Sequence, residues 1–142
     1  MTHTSVSDCR LLELPRIERP QGNLTAVESG REIPFALARV YYFYDIPGGE
    51  GRGGHAHRQL EQVIVAVMGS FEVVLDDGSG RRSFRLDRAY HGLYVPPMIW
   101  RELEGFSSGG IGVVLASERY LEDDYIRDYD QFRVQKSGSS DG

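Results

Sequence analysis

Several features that proteins commonly use are missing from this sequence of 142 residues. Its single cysteine, Cys9, excludes an internal disulfide and any zinc site built from several cysteines. The longest uninterrupted apolar stretch covers residues 63–68, which is too short to cross a bilayer. The chain does not start with a basic segment followed by an apolar block, so we expect no secretory signal. These absences predict a cytoplasmic protein with no membrane partner.

Basic residues are outnumbered: 16 Lys and Arg stand against 21 Asp and Glu, which gives a formal net charge of −5. This balance disfavours a nucleic-acid partner, because binding to the phosphate backbone needs a basic field. Lys136 is the only lysine, and the other basic residues are all arginines. A guanidinium suits bidentate binding of phosphate or carboxylate, although an arginine-rich coding preference explains the same count.

The composition is that of an ordinary globular domain, with 40% hydrophobic and 26% charged residues. No internal repeat or low-complexity block divides the chain. Residues 1–12 have weak periodicity, and residues 137–142 read SGSSDG, which is typical of a flexible tail. We therefore expect a flexible N-terminus over 1–12, a single domain over 13–136 and a disordered tail over 137–142.

Short β-prone runs separated by turn residues fill the interior of the chain. Asp77 and Gly78 begin the sequence DGSG, a strong hairpin signal. Residues 119–132 form either a short helix or an irregular aromatic-rich lid. About eight runs at short spacing predict an antiparallel sandwich or barrel. These runs cover residues 24–29, 35–46, 60–68, 70–76, 82–86, 93–95, 99–104 and 111–117. The predicted fold is all-β with a small C-terminal appendage.

Two histidines and a carboxylate form the most informative cluster in the sequence. His55 and His57 are two residues apart, so both side chains project from the same face of a strand. Glu61 follows a predicted bend and can return towards the same cavity. Such a set either binds a divalent metal or transfers protons as general acid and base. A third interpretation is that the histidines merely line a turn.

The spacing of this cluster closely resembles the first cupin motif. Gly49 is followed by five residues, His55-x-His57, three residues, Glu61, seven residues and Gly69. The resemblance implies a jelly-roll barrel with the histidines inside it.

Residues 92–101 resemble the second cupin motif, with Met98 at its glycine and Arg101 at its histidine. A metal-binding cupin takes its third imidazole from that last position. A guanidinium stays protonated near neutral pH and has no lone pair to offer a metal. We therefore predict a pocket without a metal, in which the two histidines transfer protons.

Residues from about 21 to 132 resemble a more specific family, the nucleotide-sugar 3,4-ketoisomerases. The resemblance implies action on dTDP-4-keto-6-deoxyglucose during the synthesis of deoxyaminosugars, with no cofactor. It also implies a homodimer, in some members with exchanged N-terminal strands. The matching segments are 22–24, 33–35, 39–42, 52–57, 60–63, 74–78, 92–97, 114–117 and 124–130.

The reaction that this resemblance implies moves a ketone from carbon 4 to carbon 3 of the sugar through an enediol. His55 is then the base, and His57 assists it by orienting it or relaying protons. Tyr41 matches a position near the sugar, where its hydroxyl donates to an oxyanion; simple packing is the alternative. Arg101 would stabilise the enediolate, and we expect it to favour the gluco product over the galacto epimer.

The remaining predicted roles concern substrate binding. Arg39 and Arg52 are candidates for the diphosphate, followed by Arg127, although solvated charge is an equally good interpretation of each. Glu61 either faces the substrate or holds the tautomer of an imidazole. One of three aromatic residues stacks on thymine: Tyr90, Tyr94 or Trp100. The predicted substrate-binding set is Arg101, Arg52, Arg39, Glu61 and Trp100.

Two other functions remain open from the sequence. A 3,5-epimerase of the same sugars also uses a histidine base and a tyrosine acid in a cupin. A cupin that binds sugar nucleotides without catalysis is the alternative outside the enzymes. A metal-dependent dioxygenase conflicts with Arg101.

Overall fold

A computed structural model describes residues 3–141 of the chain. These residues form short strands and one α-helix near the C-terminus. The strands are β1 Arg10–Glu13, β2 Ile17–Arg19, β3 Gly22–Leu24, β4 Arg39–Phe43, β5 Arg52–His57, β6 Gln62–Met68, β7 Phe71–Asp76, β8 Arg81–Leu86, β9 His91–Val95, β10 Trp100–Glu104, β11 Ile111–Ala116 and β12 Tyr125–Ile126. The helix α1 covers Tyr129–Asp141, and short 3₁₀ helices cover Val6–Asp8 and Glu122–Asp124. Within this part of the chain, no helix is long and apolar enough to cross a membrane.

The strands form two five-stranded antiparallel sheets that enclose one core. The first sheet has the order β1-β9-β6-β11-β4, and the second has the order β12-β5-β10-β7-β8. Strands β2 and β3 pair only with each other among the described strands. Buried side chains from both sheets meet in a single cluster that includes Ile64, Phe71 and Val114. The predicted all-β jelly roll is confirmed.

The alternation of side chains along each strand determines what faces the core. On β7, every second residue from Phe71 onward is fully buried, and the residues between are only partly buried. Strand β6 is buried on both faces because the segment from Leu14 to Phe35 packs over Val63 and Val65. This cover explains why β6 reads as an uninterrupted apolar run.

The hairpin predicted at Asp77 joins β7 to β8. The backbone N–H of Asp77 donates to the carbonyl of Gly80 over 3.1 Å. The Asp77 carboxylate accepts from the backbone N–H groups of Ser79 and Gly80, each over 2.8 Å. Gly78 has a φ of 91°, a conformation that glycine adopts without steric hindrance. The hairpin prediction is confirmed.

The N-terminus forms regular structure where the sequence predicted a flexible segment over residues 1–12. Ser5 caps the first 3₁₀ helix through a capping box, and β1 pairs with β9. The Val6 N–H donates to the Asp77 carboxylate over 2.8 Å. These partners lie far along the chain, so local periodicity gives no sign of them. Met1 and Thr2 lie outside the described residues.

The helix begins later than predicted and extends into the predicted tail. Asp128 caps α1 by accepting from the Gln131 N–H over 3.0 Å. Phe132, fully buried, fixes the helix against Trp100 and Ile126. The sequence left residues 119–132 open between a helix and an irregular lid, because this region is largely polar and has little apolar periodicity to detect. Gly142, at the end of the predicted tail, lies outside the described residues.

Phe132→Ala should lower the free energy of unfolding by about 3–5 kcal/mol, because it leaves a cavity where a buried aromatic ring stood. Urea denaturation measures the change. Val134→Ala is the matched control, since Val134 lies on the same helix with 71% of its side chain exposed. It should change stability by no more than about 0.5 kcal/mol. Equal effects of the two substitutions would contradict the docking of α1 through Phe132.

Candidate active site

A cavity of about 380 Å³ opens between the inner faces of the two sheets. Its polar and aromatic lining comprises Tyr41, Phe43, Arg52, His55, Gln62, Arg101, Tyr125 and Arg127. A larger depression of about 630 Å³ lies between α1 and the N-terminus, and it contains none of the predicted site residues. The smaller cavity therefore holds the candidate site.

Strand β5 places the two histidines side by side. The His55 and His57 ring centroids are 4.9 Å apart, with the rings nearly perpendicular at 89°. His55 lines the cavity, and His57 lies behind it, fully buried. Gly54 lies on the opposite face of β5, where a Cβ would meet the Trp100 indole at 2.5 Å. The two histidine rings are thus adjacent on one face of β5, as the alternation along a strand predicted.

Arg101 is the most deeply buried charge of the site, with 1% of its surface exposed. It lies opposite His55 in the pairing of β10 with β5. Its guanidinium donates to the Ile99 carbonyl over 2.8 Å and to Gln62 Oε1. Burial lowers the pKa of Arg101 to about 10, so the group stays protonated at neutral pH. A fixed cation therefore stands beside the histidines.

Arg101 determines the direction of the next hydrogen bond, from Gln62 to Tyr41. Because a guanidinium only donates, Gln62 must accept through Oε1 and donate through Nε2. Gln62 Nε2 is 2.8 Å from the Tyr41 hydroxyl oxygen. That oxygen therefore accepts from Gln62, and the hydroxyl hydrogen is available to an acceptor in the cavity. Burial raises the pKa of Tyr41, which keeps it protonated.

The segment before α1 closes the site from a side that the sequence did not predict. Tyr125 pairs with His57 across β12 and β5, and its ring centroid is 4.3 Å from that of His57. Asp124 Oδ2 is 3.1 Å from His57 Nδ1. Neither residue was assigned a role, because this segment was predicted as a helix or lid. Its only sign in the sequence was the match of residues 124–130 to the nucleotide-sugar 3,4-ketoisomerases.

Burial and nearby arginines keep both imidazoles neutral. The pKa of His55 is lowered to about 3, first by burial and then by Arg101 and Arg127. Burial and Arg101 also lower the pKa of His57, and His55, Arg39 and Arg127 add to this shift. The pKa of a free imidazole lies near 6.5. The difference arises because both rings are removed from water beside a cation.

Arginines make the cavity cationic in a protein whose net charge is −5. Arg52 and Arg127 line the cavity together with Arg101. Arg39 lies beside it and donates to the Tyr125 hydroxyl over 3.3 Å. Its Nε atom is buried and has no hydrogen-bond partner among the described residues. Arg127 also forms an ion pair with Glu122 over 2.9 Å. The structure thus brings together the three arginines considered for the diphosphate.

Glu61 and Trp100 do not reach the cavity, although both were predicted to bind substrate. Trp100 neighbours the inward-facing Arg101 on β10, and Glu61 directly precedes the inward-facing Gln62 at the start of β6, so alternation turns both outward. The Glu61 carboxylate accepts from the Tyr94 hydroxyl over 2.7 Å. Trp100 packs against Tyr129 and Phe132 and donates to Glu102 over 2.9 Å. None of the three aromatic candidates, Tyr90, Tyr94 and Trp100, lines this cavity, and the residue that stacks on thymine stays a prediction.

The acidic and imidazole side chains of the site do not form a metal-ligand set. Across residues 3–141, no cluster of three or more His, Cys, Asp or Glu side chains could hold a metal ion. Arg101, which matches the third-ligand position of the cupin motif in sequence, lines the cavity, and the Glu61 carboxylate binds Tyr94 instead. Metal independence remains a prediction.

Comparison with known proteins relates this geometry to a family. Residues 7–137 match the family FdtA, described as WxcM-like, C-terminal. The chain belongs to the FdtA family. Over 124 residues it is 46% identical to the TDP-4-oxo-6-deoxy-α-D-glucose-3,4-oxoisomerase of Aneurinibacillus thermoaerophilus. That match covers 87% of this chain and 89% of the relative.

Solved structures of similar proteins share the fold of this FdtA-family chain. One is the TDP-quinovose 3,4-ketoisomerase WlaRB of Campylobacter jejuni, with 41% identity and a TM-score of 0.86. The match covers 89% of this chain and 98% of WlaRB. Another is a histidine-to-asparagine mutant of the 3,4-ketoisomerase QdtA of Thermoanaerobacterium thermosaccharolyticum in complex with TDP-4-keto-6-deoxyglucose. It is 35% identical with a TM-score of 0.89, and the match covers 92% of this chain and 94% of QdtA.

The lowered pKa of His55 predicts how stability depends on pH. Between about pH 3 and pH 6.5 the unfolded chain binds a proton at this residue that the folded chain does not bind. The free energy of unfolding should therefore fall as the pH falls through 6.5. From pH 7 to pH 5, His55 alone should contribute a loss of roughly 2 kcal/mol.

Urea denaturation of the wild type and of His55→Asn at both pH values tests this prediction. The variant should lose about 2 kcal/mol less than the wild type over this range. Identical losses in the two proteins would show that His55 titrates normally in the folded chain.

Proposed function

We propose that this chain is a 3,4-ketoisomerase that converts dTDP-4-keto-6-deoxyglucose into a dTDP-3-keto-6-deoxyhexose. Family membership and the named activities of the relatives support this proposal. The observation on which it rests most is the combination of three groups at one cavity. A neutral His55, the Arg101 cation and a Tyr41 hydroxyl with an available hydrogen meet there.

His55 is the base in this proposal. Its ring hydrogen-bonds the Gly53 backbone, and Nε2 is buried with no hydrogen-bond partner in the described part of the chain. Nε2 therefore offers a lone pair to the hydrogen on carbon 3 of the sugar. The electron pair of the broken C–H bond forms a double bond between carbons 3 and 4, and the carbon 4 oxygen becomes an enediolate.

The charge that develops on this oxygen is stabilised by fixed donors. Arg101 is an immobilised cation. Tyr41 can donate its hydroxyl hydrogen to the substrate, because Gln62 donates to the Tyr41 oxygen and does not accept that hydrogen. Transfer of the proton from the carbon 3 hydroxyl to the carbon 4 oxygen, and protonation of carbon 4, then leave a ketone at carbon 3 and a hydroxyl at carbon 4. Substrate and product are isomers, so the reaction needs no external oxidant or reductant.

Metal independence and the gluco product belong to the same proposal. Arg101 supports the first, since a cation at the third ligand position disfavours a divalent ion beside it. The product preference follows from the same guanidinium, which presents a fixed planar donor to one side of the enediolate. Arg52 and Arg127 at the cavity, with Arg39 beside it, fit the diphosphate.

Proton exchange from solvent tests the proposed reaction. Incubation with dTDP-4-keto-6-deoxyglucose in heavy water should give a gluco-configured 3-keto sugar with deuterium at carbon 4, which NMR detects. Protein stripped with a chelator should retain its rate. Deuterium at carbons 3 and 5 would instead indicate a 3,5-epimerase. Tight binding of the sugar nucleotide without proton exchange would indicate a non-catalytic cupin.

His55→Asn should lower kcat by at least about 100-fold, because it removes the general base. Circular dichroism checks that the fold is retained. His91→Asn is the matched control, since His91 lies on the first sheet next to Glu13 and does not line the cavity. A wild-type rate in the His55 variant would mean that another group is the base.

We also propose that the chain is a homodimer whose interface includes the hairpin of β2 and β3. All residues of β2 and β3 are exposed, and an isolated two-stranded hairpin is at best marginally stable in water. Apolar side chains on this hairpin, Ile17 and Leu24, are 39% and 56% exposed. A second subunit that covers the hairpin would bury them.

Light scattering after gel filtration should therefore give the mass of a dimer. The double substitution of Ile17→Asp and Leu24→Asp should shift the protein towards the monomer, because it places charges in an apolar interface. Glu18→Gln on the same hairpin is the control and should leave the mass unchanged. A monomeric wild type would contradict the proposal.

A further inference from the structure

The carboxylate of Asp124 lies next to the buried histidine of the site. Asp124 Oδ2 is 3.1 Å from His57 Nδ1, and the exposed fractions of these side chains are 11% and 0%. The other ring nitrogen of His57, Nε2, is buried and has no hydrogen-bond partner among residues 3–141. His57 Nδ1 thus contacts a carboxylate, while Nε2 remains able to accept a proton.

Backbone contacts hold Asp124 in place independently of His57. Its second carboxylate oxygen, Oδ1, accepts from the Gln59 N–H over 2.8 Å. Its own carbonyl accepts from the Arg58 N–H over 2.9 Å. The Arg58 guanidinium also donates to the backbone carbonyls of Asp123 and Tyr125, over 2.5 and 3.0 Å. The carboxylate is therefore presented to His57 in a fixed orientation.

This orientation selects one tautomer of the imidazole. An ionised carboxylate only accepts hydrogen bonds, so the hydrogen of the neutral ring must lie on Nδ1. Nε2 then has the lone pair, and it is the atom left without a partner. The ring also lies against His55 and Tyr125, which both line the cavity.

We propose that Asp124 is a positioning residue that holds His57 in the Nδ1–H tautomer, so that its Nε2 is kept as a proton acceptor beside His55. The proposal rests on the proposed ketoisomerase function, in which His57 assists His55. The attachment of β12 to β5 does not depend on the Asp124 carboxylate. The pairing of the two strands and the hydrogen bonds from the Arg58 guanidinium to backbone carbonyls provide it.

Nitrogen-15 NMR of the histidine rings tests the tautomer without any substrate. In the wild type, His57 should give the signals of the Nδ1–H form, assigned by their loss in His57→Gln. In Asp124→Asn, the Gln59 N–H should keep the amide oxygen on its side and turn the amide nitrogen to His57. An amide nitrogen only donates, so the ring hydrogen should move to Nε2.

The kinetic consequence is a loss of rate with little loss of binding. Asp124→Asn should lower kcat by at least about 100-fold, because His57 then has no lone pair at Nε2. KM should stay within about threefold, since Asp124 does not line the cavity. Asp123→Asn is the matched control on the same turn, where the side chain is exposed, and it should change neither the tautomer nor kcat.

The outcomes separate this proposal from the proposed function. An Nε2–H tautomer in the wild type would overturn the role of Asp124, even if Asp124→Asn does not fold. An unchanged tautomer or an unchanged kcat in a folded Asp124→Asn protein would also overturn it. A wild type that shows the Nδ1–H tautomer but no ketoisomerase activity would refute only the proposed function and leave the tautomer assignment standing.

Discussion

The buried guanidinium of Arg101 is the constraint on which the rest of the site depends. A charge removed from water must be satisfied by polar partners, and here those partners are the Ile99 carbonyl and Gln62. Because Arg101 only donates, it fixes the orientation of Gln62 and, through Gln62, the hydrogen-bonding role of Tyr41. The same cation lowers the pKa of both histidines. One side chain thus influences the protonation state of every group in the proposed reaction.

The barrel explains how residues distant in sequence reach this cation. Strand β5 pairs with β10 on one side and with β12 on the other, so His55 lies opposite Arg101 and His57 opposite Tyr125. Strands β4 and β6 supply Tyr41 and Gln62 from the facing sheet. Each side chain is on a regular strand, and regular strands hold side chains more rigidly than loops do.

The sequence predicted the parts of the site that depend on local spacing. The alternation of a strand is enough to place His55 and His57 on one face, and the second motif placed Arg101 inside the barrel. The same alternation predicts that Trp100, next to the inward-facing Arg101, and Glu61, next to the inward-facing Gln62, face outward. Gln62 was recognisable as a polar residue at the start of an apolar strand.

Asp124 and the start of α1 could not be predicted in this way. Asp124 reaches His57 only because β12 pairs with β5, a contact between residues 67 positions apart. The helix has few apolar residues, so its position depends on the burial of Phe132 and not on a repeating pattern. Hydrogen-bond direction also lies beyond sequence spacing, since it requires knowing which groups are buried together.

The packing of Trp100 has a practical consequence. It is the only tryptophan in the chain, and it lies between β5 and α1, on the reverse side of the strand from His55. The intrinsic fluorescence of this protein therefore originates from one defined environment. Its emission wavelength reports whether the C-terminal helix is docked, and Trp100 does not line the cavity of the proposed site.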